Sequence, residues 1–144
     1  MNNITRTCEL AAQAYLRTVG LSGLASASIL AGFDDGDLPT PRVVCVSNRA
    51  DMDGPADDAV WNCELEIHVV SNADSRTQEQ HHEMATEVFA QFFQGRTATA
   101  AALNAAADNF GCQDILPTGQ SKEVRDREWR SICVFSVKCC GGFD

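Results

Sequence analysis

A chain of 144 residues that is 44% apolar and 22% charged has the composition of a globular domain rather than of a disordered segment, and is too short for two self-sufficient cores. With 20 acidic side chains against 11 basic ones the formal charge is −9, which argues against a protein that grips duplex DNA, because phosphate binding needs a concentrated basic surface. No apolar run approaches the roughly 18 residues of a membrane helix, and the start of the chain lacks the apolar stretch behind a basic end that marks a secretory leader.

Asn3 is placed to cap a helix beginning at Ile4, whose apolar face would be Ile4, Cys8, Ala11, Tyr15 and Val19, with Gly20 as its stop. Residues 21–33 are rich in Ser, Ala and Gly and predict little beyond a short strand near 28–30. After Pro39 and Pro41, the run Arg42–Ser47 (RVVCVS) predicts a buried strand, followed by a polar loop over 48–59. From Val60 to Ser71, the residues Trp61, Cys63, Leu65, Ile67 and Val69 alternate with Asn62, Glu64, Glu66 and His68. That period of two predicts a half-buried strand, hairpinned to Arg42–Ser47.

A turn over 71–75 leads into a helix predicted from about Arg76 to Gln94, with Met84, Ala85, Val88, Phe89 and Phe92 as its stripe and Gly95 as its end. Residues 97–107 hold seven alanines, a short helix with little side chain to bury. Phe110–Leu116 reads as a strand ended by Pro117, and the last strand as Trp129–Cys139, entered as early as Lys122. Trp129, Cys133, Phe135 and Val137 fall on one face of it, and Arg130, Ile132, Val134, Ser136 and Lys138 on the other. Ile132 and Val134 make that second face too apolar for a solvated surface, which marks them as candidate subunit contacts. The fold class expected is α+β: one domain over 1–144, a mainly antiparallel four-stranded sheet with helices packed on one face, in the order α-β-β-α-(α)-β-β.

Seven cysteines at irregular spacing, with no CxxC pair, point to free thiols used as small apolar residues in a reducing compartment, not to a disulfide framework or a zinc site. Negative charge is concentrated instead: seven aspartates between Asp34 and Asp58 face only Arg42 and Arg49, so this window carries −5 of the −9. Asp51, Asp53, Asp57 and Asp58 form a candidate channel or interface loop. Asp51-Met52-Asp53-Gly54 lacks the remaining ligands of a calcium loop, since Val60 stands where a bidentate glutamate is needed.

His81, His82 and Glu83, with His68, do not match a metal-site spacing, because neighbours on a helix point about 100° apart. The two adjacent histidines read as surface or rim residues. No nucleophile elbow and no phosphate-binding loop is present, and Glu64 with Glu66 reads as a solvated strand face rather than an acid/base pair. The expectation is therefore a protein with no catalysis, no metal and no cofactor.

The segment Trp61–Asp74 (WNCELEIHVVSNAD), the preceding Leu38-Pro39-Thr40-Pro41-Arg42-Val43-Val44 and the late Trp-to-Val strand together resemble the tail terminator, or tail completion, family of head–tail joining proteins from tailed bacteriophages. The order and length of elements match over most of the chain. The departures are the alanine-rich 97–107 and the cysteine count.

The resemblance implies a virion subunit of the tail and neck, made in the host bacterial cytoplasm and assembling with its own copies into a ring, typically a hexamer. Such a ring caps the head-proximal end of the tail tube, stops tube polymerisation and docks to the head connector, while DNA passes through the centre without specific binding. It involves no membrane and supplies no site residues that can be carried over. An acidic loop multiplied around such an axis would repel phosphates and let DNA slide. The alternatives are another neck component (stopper or adaptor), a small ligand- or peptide-binding module, and a metal-dependent enzyme using His68, His81 or His82.

Overall fold

The computed structural model describes residues 3–34, 36, 38–55, 59–108 and 110–141. Helix α1 spans Ile4–Val19; the Asn3 side chain accepts from the Arg6 N–H at its start, and Gly20, at φ 66°, ends it. The short β1 (Ile29–Ala31) runs parallel to β2 (Arg42–Met52), and β2 is antiparallel to β3 (Trp61–Asn72). Helices α2 (Gln78–Ala90) and α3 (Arg96–Ala106) follow, then β4 (Phe110–Arg125) and β5 (Glu128–Gly141). The sheet order is β1-β2-β3-β5-β4, so β5 docks against β3 and leaves β4 at the edge.

This is the expected α+β class with a mostly antiparallel sheet, but with five strands rather than four, because β1 joins β2 as a parallel edge. Three boundaries also differ. β2 continues through the segment read as a polar loop as far as Met52, with a bulge between Ser47 and Arg49. β4 does not stop at Pro117 but runs to Arg125, so Lys122 belongs to β4 and β5 starts at Glu128. α2 is shorter than predicted, bounded by a Thr77/Gln80 capping box and ending at Ala90.

The β4 error has a physical cause. From Leu116 to Arg125 every side chain is exposed, so no apolar alternation marks the strand. Pro117 is tolerated because it sits at an edge beside a register shift between Pro117 and Gly119. The turn to β5 is the two-residue Asp126-Arg127, both at positive φ (51° and 63°), a primed hairpin turn without the usual glycine.

All three helices lie on one face of the sheet. Between them are Ile4, Cys8, Ala12, Tyr15 and Leu16 of α1, Val88 and Phe89 of α2, Leu103 of α3, and Leu65, Ile67, Cys133, Phe135 and Val137 from the strands. Six of the seven cysteines, all free, are part of this core, where burial pushes the Cys112 thiol up to about 11 and keeps it protonated. Glu9 is buried too: its Oε2 accepts the Ser47 N–H (2.9 Å) at the β2 bulge, and its Oε1 accepts from Arg6 (3.2 Å).

The reading of His81 as a rim residue is corrected. It is 2% exposed and bridges two strands, with Nδ1 2.7 Å from Ser71 Oγ on β3 and Nε2 2.9 Å from Ser131 Oγ on β5. Burial, then His82 and Arg76, pull its pKa from 6.5 down to about 4. Neutral His81 thus contributes stability that is fully present above pH 6.5 and is lost as the pH falls to about 4, roughly 3 kcal/mol in all. Between these limits wild type is expected to lose melting temperature faster than His81→Gln, so that the two curves converge on acidification. Parallel curves would sink this assignment.

Candidate assembly face

Among the described residues, the opposite face of the sheet carries no helix. The strand register sets its rows: Arg42, Val70, Arg130 and Glu123 in one, Val44, His68, Ile132 and Ser121 in the next, then Val46, Glu66, Val134 and Gly119. Ile132 and Val134 therefore sit at mid-sheet on adjacent rows, and both remain partly exposed. Leu116 follows one row further along, opposite Ser136, and Phe33 projects from the turn after β1, 86% exposed. Single exposed apolar side chains are ordinary; several on one helix-free face form a surface for burial against another molecule.

The described acidic candidates lie toward the far end of the same face. Asp51 pairs across the sheet with Asn62, in the row of Lys138, which is four residues or roughly 13 Å along β5 from Val134. Neither Asp51 nor Asp53 is a bare charge: Asp51 accepts from Arg49 (2.9 Å) and Asp53 lies 3.3 Å from Lys138. Both pairs are solvent-exposed and weak. Asp57 and Asp58 fall outside the described residues. The structure thus keeps Ile132 and Val134 together and separates them from Asp51 and Asp53.

At the end of the open face near the β4–β5 turn lies a feature the sequence did not disclose. Arg42, fully buried, donates to Asp34 Oδ2 (2.9 Å), to Glu128 Oε2 (3.0 Å) and to the Leu38 carbonyl (3.0 Å). Arg130 donates to the same Asp34 oxygen (2.7 Å) and to His68 Nδ1 (2.9 Å). His68 Nε2 meets Glu66 Oε1 (2.9 Å), and Glu66 Oε2 accepts from Asn48 (2.9 Å).

Burial alone would raise the Asp34 carboxyl, but hydrogen bonds from Arg130, the Gly36 N–H and Arg42 outweigh it and hold it at about 2. Asp34, counted in sequence as part of an acidic field, is thus spent inside a charge network. Two arginines near the ends of apolar strands, Arg42 and Arg130, were the available signal.

The network floors one end of a groove of about 610 Å³ lined by Val44, Val46, His68, Arg130 and Ile132, with Phe33 at its rim. Among the described residues no three His, Cys, Asp or Glu side chains are placed to hold a metal ion. No described helix is long and apolar enough to cross a membrane.

No protein-family model matches the chain, and no curated protein matches it. Among solved structures it is similar to a chain described as "Virion of native gene transfer agent (GTA) particle", with a TM-score of 0.47 and 14% identity over 92% of this chain and 96% of that one.

Proposed function

We propose that the chain is a structural subunit of a phage-like particle, with no catalysis of its own. Copies assemble through the helix-free sheet face into a ring, hexameric in the tail terminator pattern, that closes the head-proximal end of a tail tube and joins it to the head connector. The observation that carries this is the partly exposed Ile132 and Val134 at the centre of a face that the chain's own helices leave uncovered. A head-to-tail contact between such a face and a different surface of the next copy generates a closed ring when the rotation permits. Support also comes from the sequence resemblance, which covers most of the chain; the weight does not lie on the likeness to the virion chain. In this reading DNA passes through the centre, and Asp51 and Asp53 contribute to a repelling lumen only in competition with Arg49 and Lys138.

Replacing Ile132 and Val134 together by lysine tests the face. Both side chains are partly exposed, so the folded subunit is expected to lose about 1 kcal/mol or less while self-association is abolished in sedimentation velocity. Unchanged sedimentation of the double variant would remove this face from the contact. The groove favours a second reading, a peptide- or small-ligand-binding module, for which the expected signature is a ligand-dependent rise in melting temperature with no ring.

A further inference from the structure

His68 is the joint between two halves of the open-face network, and its two hydrogen bonds fix its proton. A guanidinium only donates, so Arg130 Nη1 at 2.9 Å requires an unprotonated Nδ1. The ring proton is then on Nε2, where it donates to Glu66 Oε1 at 2.9 Å. A second proton on Nδ1 would set donor against donor and cation against cation at the Arg130 contact. Arg130 is the residue that His68 shares with Asp34, and Asp34 anchors the turn that presents Phe33: its Oδ1 accepts the Gly36 N–H (3.0 Å) while its Oδ2 takes both arginines.

We propose that this is an acid-sensitive latch on the open face: protonation of His68 expels Arg130, leaves Asp34 on Arg42 alone, and loosens the Phe33–Asp34 turn from the sheet. In consequence the surface offered to a neighbouring copy differs between neutral and acidic medium. Only that consequence rests on the assembly reading; the latch itself does not.

The surroundings agree. Glu66 on the same strand, Arg130 on β5 and Asp34 from the turn after β1 face the ring, with Arg42 of β2 behind Asp34. Glu123, Arg125, Asp126 and Glu128 of the β4–β5 hairpin stand around the same groove. Burial lowers the His68 pKa below its ordinary value, Glu66 works against it, and Arg130 adds to the lowering. Asp34, held at about 2, stays ionised throughout, so the change falls on the histidine.

The experiment is hydrogen exchange of peptides containing Phe33 and Asp34, corrected for intrinsic rates, in wild type and His68→Gln between about pH 7.5 and about pH 4.5. Wild type is expected to lose about tenfold in protection, and the variant, which has no proton to gain there, to show no comparable change. His81 titrates in both proteins and cancels from the comparison. Equal loss in both, or none in wild type, overturns the latch. Independently of any variant, ring-nitrogen NMR of wild-type His68 is expected to show the Nε2–H tautomer at neutral pH and a second protonation in step with the exchange; an Nδ1–H tautomer at neutral pH overturns it. Exchange is read on the subunit whether or not it forms a ring, so failure of assembly and failure of the latch are separate results.

Discussion

Arg42→Met will destabilise the protein by about 3–5 kcal/mol, a fall in melting temperature of roughly 10 °C or more for a chain of this size. Arg42 is completely buried and serves two carboxylates and a backbone carbonyl, so its removal leaves Glu128 without its arginine and Asp34 with Arg130 alone. The cost comes from the stranded charges rather than from the lost attraction. Neutralising them together in Arg42→Met/Asp34→Asn/Glu128→Gln is therefore expected to recover a large part of it. If the triple variant is no more stable than the single one, lost packing rather than unpaired charge explains the effect. Asp34 adds a pH signature. Its carboxyl is depressed from 3.8 to about 2, so the stability it contributes, about 2 kcal/mol, is present above pH 3.8 and disappears as the pH falls through about 2.

Phe135→Ala will cost a similar amount for a different reason. Phe135 is fully buried at the centre of β5, its ring 5.2 Å from Phe92 and 5.7 Å from Phe93, and Phe92 in turn meets Tyr15 of α1 edge-on at 5.5 Å. Truncation opens a cavity where the α1 and α2 ends meet the sheet, and the expected loss is about 3–5 kcal/mol, read as a lower denaturant midpoint at unchanged slope. Phe93→Ala, at a half-exposed position in the same cluster, is expected to cost well under half as much. Equal losses at the two positions would mean that the cluster is not centred on Phe135.

Phe135 is also an example of what the sequence makes legible. Alternation in β3 and β5 is strong because one face of each strand is sealed under helices, and that asymmetry forces a period of two. The ends of α1 are legible for a local reason, the Asn3 side-chain cap and the glycine at positive φ at Gly20. The second part of β4, Leu116–Arg125, was not legible because water bathes both of its faces, and the Asp126-Arg127 turn carries no glycine to announce it. β1 is three residues long and owes its strand form to β2 alone.

At the open face the sequence showed Ile132 and Val134, whose apolar character breaks the expected polar alternation. It hid the network next to them, because Arg42 reaches Glu128 across 86 positions and Arg130 reaches Asp34 across 96. Of the seven aspartates in the window of −5, the three that the structure describes divide between a buried network at Asp34 and separate surface pairs at Asp51 and Asp53.

Electron microscopy of the purified protein, alone and mixed with tail tubes, bears most directly on the central claim. Rings with a central hole wide enough for duplex DNA, about 20 Å, free or seated on one end of each tube, are the predicted result. Dispersed single subunits together with bare tube ends would contradict it.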